Sequence, residues 1–163
     1  MRILFDLQDY LNNMTLGELI DDKVLRPYGD TLPTLLVEQV EDTRVVRVTN
    51  RTKNDMGVAV ILSSIDNIAD GDRLTIVGRL GQSMTLHGAS IALFAGGEKN
   101  VEIVSHEPYN NLYSLSCLLT GLANKSLYLS LTKTSLPFSN IDFFIDSILI
   151  SREIVVENQY AFF

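Results

Sequence analysis

Few residues in this chain carry chemistry, and the most conspicuous is an acid in the wrong place. Asp146 lies inside Phe143 to Ile150, a run otherwise apolar except for Ser147. Branched and aromatic residues in such a run suit a strand near the centre of a domain, covered on both faces. A carboxylate there is costly unless it meets a cation, joins a hydrogen-bond network or reaches a sheet rim. The histidines, His87 and His106, are far apart and have no Cys or His neighbour, so they do not make a transition-metal set. There is no G-x-S-x-G elbow, Gly96-Gly97 reads as a turn and not a phosphate cradle, and the acids fall mostly in turns. No carboxylate pair for glycoside cleavage can be assigned from such positions. The chemistry available is recognition by hydroxyls, arginines and tyrosine rings.

Those groups lie on alternating segments. Leu127, Leu129 and Leu131 alternate with Tyr128, Ser130 and Thr132; Leu115 and Cys117 alternate with Ser114 and Ser116; and Arg47, Thr49 and Arg51 share one face. Each pattern is a half-buried strand with one wet face. A wet face is either plain solvated surface or a shallow ligand face. In the second case, hydroxyls offer hydrogen bonds, a Tyr ring offers a surface for sugar C–H groups, and Arg offers a fork of donors.

The elements follow in order. Ile3–Leu7 is a short first strand, Gln8–Leu19 holds a helical turn, and Asp21–Pro33, with Pro27, Gly29 and Pro33, reads as loop. Strands are expected at 35–38, 44–51, 57–62, 74–79, 84–87, 91–94, 101–104, 113–119 and 127–132, before the closing run from Phe143. About ten short strands, with turns every 8–12 residues and almost no 3.6-residue period, indicate an all-β antiparallel sandwich of two sheets. The 163 residues fit one domain, with a core over 3–153 and an apolar extension over 154–163. That extension suits either an added edge strand or the start of a further module.

Composition narrows the partners. A formal charge of −7 without a Lys/Arg cluster excludes a phosphate-backbone ligand. The lone Cys117 excludes an internal disulfide, and no run approaches the roughly 18 apolar residues of a membrane span. The first residues are too short for a signal peptide, so the chain is either cytosolic or an excised module of a larger protein.

Several segments, in order, resemble one family. Val46-Arg47-Val48-Thr49-Asn50-Arg51-Thr52 resembles the "V-T-N-R-T" strand of jelly-roll carbohydrate-binding modules, the xylan- and glucan-binding kind appended to bacterial glycoside hydrolases. Gly57-Val58-Ala59-Val60-Ile61-Leu62 and Gly71-Asp72-Arg73-Leu74-Thr75-Ile76 look like its next strands. Asp142-Phe143-Phe144-Ile145-Asp146-Ser147-Ile148-Leu149-Ile150 is similar to its closing "d-F-y-I-D-D-i-x-I" pattern, and Phe5 to Gly17 to some members' entry segment. The resemblance covers about residues 3 to 153. It implies a jelly roll, an extracellular bacterial setting and non-catalytic polysaccharide binding. It also implies tethering to a glycoside hydrolase or cellulosomal protein, and often a structural calcium.

By the same resemblance, Arg51 matches an arginine that contacts sugar and Asp146 an acid that ligates calcium. Asp6 is the candidate second acid, with backbone oxygens near Asp42; the alternative is that Asp146 caps a turn or pairs with a Lys or Arg. The chain departs from the family at two points. It has no Trp, with Arg79 standing where xylan binders usually place one, and no acid follows Tyr128 closely. Stacking then falls to Tyr128, with Tyr113 or His87 nearby. Either the ligand is a decorated or acidic glycan suited to Arg51 and Arg79, or the module has become a structural or protein-interaction sandwich. A hydrolase on this fold would need two carboxylates converging in a cleft.

Overall fold

The computed structural model describes residues 1–81, 90–97, 101–133 and 142–154. Among them are eleven strands, one α-helix and one 3-10 turn (Leu62–Ser64): β1 (Arg2–Asp6), α1 (Leu7–Asn12), β2 (Leu25–Tyr28), β3 (Thr34–Val40), β4 (Thr43–Thr49), β5 (Gly57–Ile61), β6 (Arg73–Leu80), β7 (Ser90–Ala95), β8 (Val101–His106), β9 (Leu112–Leu118), β10 (Ser126–Lys133) and β11 (Phe143–Arg152). The strands form two antiparallel sheets, ordered β3-β4-β11-β6-β9, with β1 also on β11, and β2-β5-β10-β7-β8. This is the all-β sandwich that the alternation predicts. The expected strand at 84–87 and the extension beyond 154 lie outside the described residues.

The inward positions follow the period-two pattern. Leu74, Ile76 and Leu80 on β6, Leu115 on β9 and Leu127, Leu129 and Leu131 on β10 are buried in one core. Each such side chain contributes about 1.5–3 kcal/mol when buried. One close packing requires a glycine. A Cβ at Gly78 would lie 2.3 Å from the Tyr113 hydroxyl, so the ring of Tyr113 seats over bare backbone.

β11 is central, as its apolar run predicts, but it is not uniformly buried. Phe143 and Ile145 point inward; a bulge between Ile145 and Ser147 then shifts the phase, so that Ile148 and Ile150 point inward next. Before the bulge β11 pairs with β4, through Phe143↔Val48 to Ile145↔Val46. After it the same edge pairs with β1, through Asp6↔Leu149 to Arg2↔Arg152. Helix α1 follows at that seam, capped by the Asp6 carboxylate, which accepts the Gln8 N–H at 3.0 Å. The Gln8 amide then donates to the carbonyls of Asp146 (2.7 Å) and Arg44 (3.0 Å), closing the gap between β4 and β1.

Two expectations are corrected here. Asp21–Pro33 is not loop throughout, since Leu25–Tyr28 pairs with β5. Pro27 is tolerated because β2 is an edge strand. Arg51 does not continue the exposed face of Arg47 and Thr49. Asn50 takes a left-handed φ of 58°, which breaks the alternation and turns Arg51 inside.

Arg51 is 1% exposed. Its guanidinium donates to the carbonyls of Met56 (2.7 Å), Asn54 (3.0 Å) and Lys53 (3.1 Å), and lies 5.3 Å from the centre of the Phe143 ring. Burial draws its pKa down to about 10, against the pull of Asp142 and Asp55. Removing it strands several buried carbonyls, so Arg51→Ala should cost about 3 kcal/mol in denaturant unfolding. Arg51→Lys should recover only part, because one ammonium cannot span that loop. A cost under about 1 kcal/mol for Arg51→Ala would show that the loop does not depend on it.

At the other end of β11, Arg152 grips Asp72 through both carboxylate oxygens (2.7 and 3.0 Å), while the Ala69 N–H also donates to Asp72. The bond to Arg152, backed by that N–H, holds the Asp72 pKa below the ordinary carboxylate value against burial. A depressed folded pKa contributes stability that is present above the unfolded pKa and lost as pH falls through the folded one. Asp72→Asn should therefore be destabilising at pH 7, and its deficit against the wild type should shrink below about pH 4. Equal deficits at pH 7 and pH 3 in matched urea titrations would remove Asp72 from the acid response.

Candidate functional site

The residues singled out by sequence do not converge. Arg51 is buried in the 51–56 loop. Tyr113 is 1% exposed and faces the core, where its hydroxyl donates to the Phe144 carbonyl at 2.6 Å and burial raises its pKa. Neither presents a surface for stacking or sugar contact, which corrects both assignments. His87 lies outside the described residues.

Arg79 does face outward, on the six-stranded sheet. Its Nε and a terminal nitrogen both donate to Asp146 Oδ2, at 3.2 and 2.5 Å. On the same face Arg47 holds Asp142 at 2.8 Å and Glu38 at 3.5 Å. Tyr128 is on the opposite outer face of the sandwich, since it alternates with the buried Leu127 and Leu129 of the five-stranded sheet. Arg79 and Tyr128 therefore cannot share one ligand face.

The two metal candidates are already engaged. Asp146 Oδ2 is paired with Arg79, the alternative the sequence left open, and its Oδ1 is buried with no partner among the described residues. Asp6 caps α1, and the Asp146 and Arg44 carbonyls accept from Gln8. The carbonyls of Leu11 and Met14 accept from the Arg44 guanidinium. Calcium needs six to eight oxygens around one point. Among the described residues no group of three or more His, Cys, Asp or Glu converges. Among the described residues the oxygens named at this seam are engaged by protein donors, save Asp146 Oδ1.

A coherent surface does form around Tyr128. Register places Arg26, Ala59, Tyr128, Phe94 and Glu102 in one row across β2, β5, β10, β7 and β8. At about 4.8 Å per strand, this row is roughly 19 Å long. The neighbouring row carries Tyr28, opposite Gly57. Because β5 offers only Gly57 and Ala59 there, the Tyr28 and Tyr128 rings meet across it, 4.0 Å apart and within 23° of parallel. The other edge of Tyr128 lies against Gly96, where a Cβ would be 2.4 Å from the ring.

The result is a half-exposed aromatic slab with Tyr128 against the Gly96 backbone, an arginine at one end of the row and a glutamate at the other. Arg26 is exposed, and no described residue pairs with it. Sequence reading reached Tyr128 but missed Arg26 and Tyr28, because Pro27 made their strand look like loop. The signal available was Leu25-Arg26-Pro27-Tyr28 itself, a short run alternating apolar and polar positions.

Beside the slab, Gly96 also lines a groove of about 520 Å³ at the sheet rim. Its other walls include Val101, Ile103 and Leu122, with Glu102 and Lys125 as polar groups.

No protein-family model and no curated protein matches the chain. Solved structures do. The CBM22-2 xylan-binding domain of Paenibacillus barcinonensis Xyn10C superposes with a TM-score of 0.64 at 12% identity, covering 92% of this chain and 99% of that one. The CBM22-1–GH10 modules of Clostridium thermocellum xylanase 10B, solved with xylohexaose, give 0.62 at 14% identity over 93% of this chain, which spans 29% of that longer one. A xylan-binding CBM15 module gives 0.51 at 12% identity, covering 82% and 94%. At such identities the likeness is one of fold: the chain is similar in architecture to these xylan-binding modules, which is the jelly roll that its ordered motifs resemble.

Proposed function

We propose that this chain is a non-catalytic polysaccharide-binding module whose ligand lies across the outer face of the five-stranded sheet. The observation that carries the reading is the Tyr28–Tyr128 slab in register with Arg26, Phe94 and Glu102. Stacked rings supply a flat apolar surface for sugar C–H groups, while the arginine and glutamate at the row's ends supply a donor fork and an acceptor for hydroxyls. The row runs from one edge strand of the sheet to the other, which suits an internal stretch of a chain and not a chain end. Xylan, glucan or a decorated relative is the ligand class that this surface and the similar solved modules suggest. The setting we infer is a secreted bacterial enzyme, to which the module would be tethered so as to raise its local concentration on the polysaccharide.

The reading separates the side chains that touch sugar from those that hold the fold. In affinity electrophoresis against soluble xylan and mixed glucans, the wild type should be retarded. Tyr128→Ala should weaken binding about tenfold or more, about 1.4 kcal/mol, and Arg26→Ala should weaken it less. Arg79→Ala, on the opposite face, should leave it unchanged. Retardation insensitive to Tyr128 and Arg26 would place the ligand elsewhere; no retardation by any glycan, with the fold intact, would favour an interaction or spacer module.

Calcium is not required in this account, because the α1 seam is closed by Gln8 and Arg44. Chelator should change neither the melting temperature nor the retardation. A clear loss of either on chelation, restored by calcium, would overturn that.

A further inference from the structure

We propose that the rim groove beside Tyr128 is a separate subsite for a neutral single-sugar branch on the bound polysaccharide; this rests on the binding face argued above. The link between the two is Gly96. It lies against the Tyr128 ring and also lines the groove, so a main chain on the slab passes the groove's mouth within one sugar's reach.

The groove has the size and chemistry of a small ligand site. Its volume of about 520 Å³ falls within the usual range for small-molecule pockets, about 300–1,000 Å³. Its apolar walls come from Val101, Ile103 and Leu122, and Val101 is left 61% exposed. Two residues of opposite charge line it, Glu102 and Lys125, and neither side chain pairs with a described residue. An acceptor and a donor together suit a ring carrying several hydroxyls, each both donor and acceptor. They do not suit a net charge, because a carboxylated branch attracted to Lys125 would also meet Glu102.

A branch subsite makes a prediction that a plain binding face does not. A linear β-1,4-xylo-oligosaccharide and the same oligosaccharide carrying one arabinofuranosyl branch can be compared by calorimetry. The branched form should bind about tenfold more tightly. Val101→Trp, which fills the groove from an exposed position, should cancel that advantage while leaving the linear form's affinity unchanged. Lys125→Met should lose most of it.

Equal affinities for the two forms in the wild type would overturn the subsite and leave the binding face standing. So would a Val101→Trp loss shared equally by both, or a larger gain from a uronic-acid branch than from the neutral one. If neither form binds at all, the binding face itself fails and the subsite with it.

Discussion

The extra residue in β11 is the constraint on which the rest of the sandwich depends. By inserting one position between Ile145 and Ser147, the bulge lets a single strand keep Phe143, Ile145, Ile148 and Ile150 in one core. Asp146, the extra residue itself, lies on the outer face within reach of Arg79. The edge of β11 passes from β4 to β1 at that point, and such a handover would leave carbonyls unpaired. Gln8, the second residue of α1, bonds two of them. A helix of six residues would be marginal alone. Here it is held by the Asp6 cap, by the buried Leu7 and Leu11, and by a seam that needs its side chain.

Arginine is used in this chain chiefly to hold the fold. Arg44 and Arg51 spend their donors on backbone carbonyls; Arg47, Arg79 and Arg152 spend theirs on carboxylates. Exposed ion pairs of this kind contribute little individually. The pairings inside β11's surroundings differ because they answer a specific burial problem. Asp72 is 1% exposed and Arg51 equally so, and each would be costly without its partner. Arg26 stands apart, exposed and unpaired among the described residues, on the face that carries the tyrosines.

The architecture was legible from alternation, because inward leucines on β6, β9 and β10 recur every second residue wherever a strand has one wet face. The ordered motifs led to the correct jelly roll by the same residues that build its sheets. The site was less legible, for reasons that can be named. Arg51 was read by extrapolating the phase of β4 past Asn50, whose left-handed backbone reverses it. Tyr113 reads as a stacking ring near Tyr128, but its ring is buried and its hydroxyl is satisfied inside by the Phe144 carbonyl. Asp146 was recognised as needing a partner, but its partner, Arg79, is 67 residues away in sequence. Proximity across a sheet is a matter of register, which single-strand patterns do not carry.

Register also explains why an edge strand containing proline matters to the proposed function. β2 lacks a ladder donor at Pro27, a loss that would be serious inside a sheet and is tolerable at its rim. At the rim, β2 extends the outer face by one strand and delivers Arg26 and Tyr28 on alternate positions to the same side. Without β2, Tyr128 would be a single half-exposed ring; with it, two rings share a contact across the small residues of β5. The absence of tryptophan is therefore met by two stacked tyrosines. Pairing fixes both rings before any ligand arrives, so less side-chain freedom is lost on binding, and preorganisation of that kind raises affinity without adding contacts.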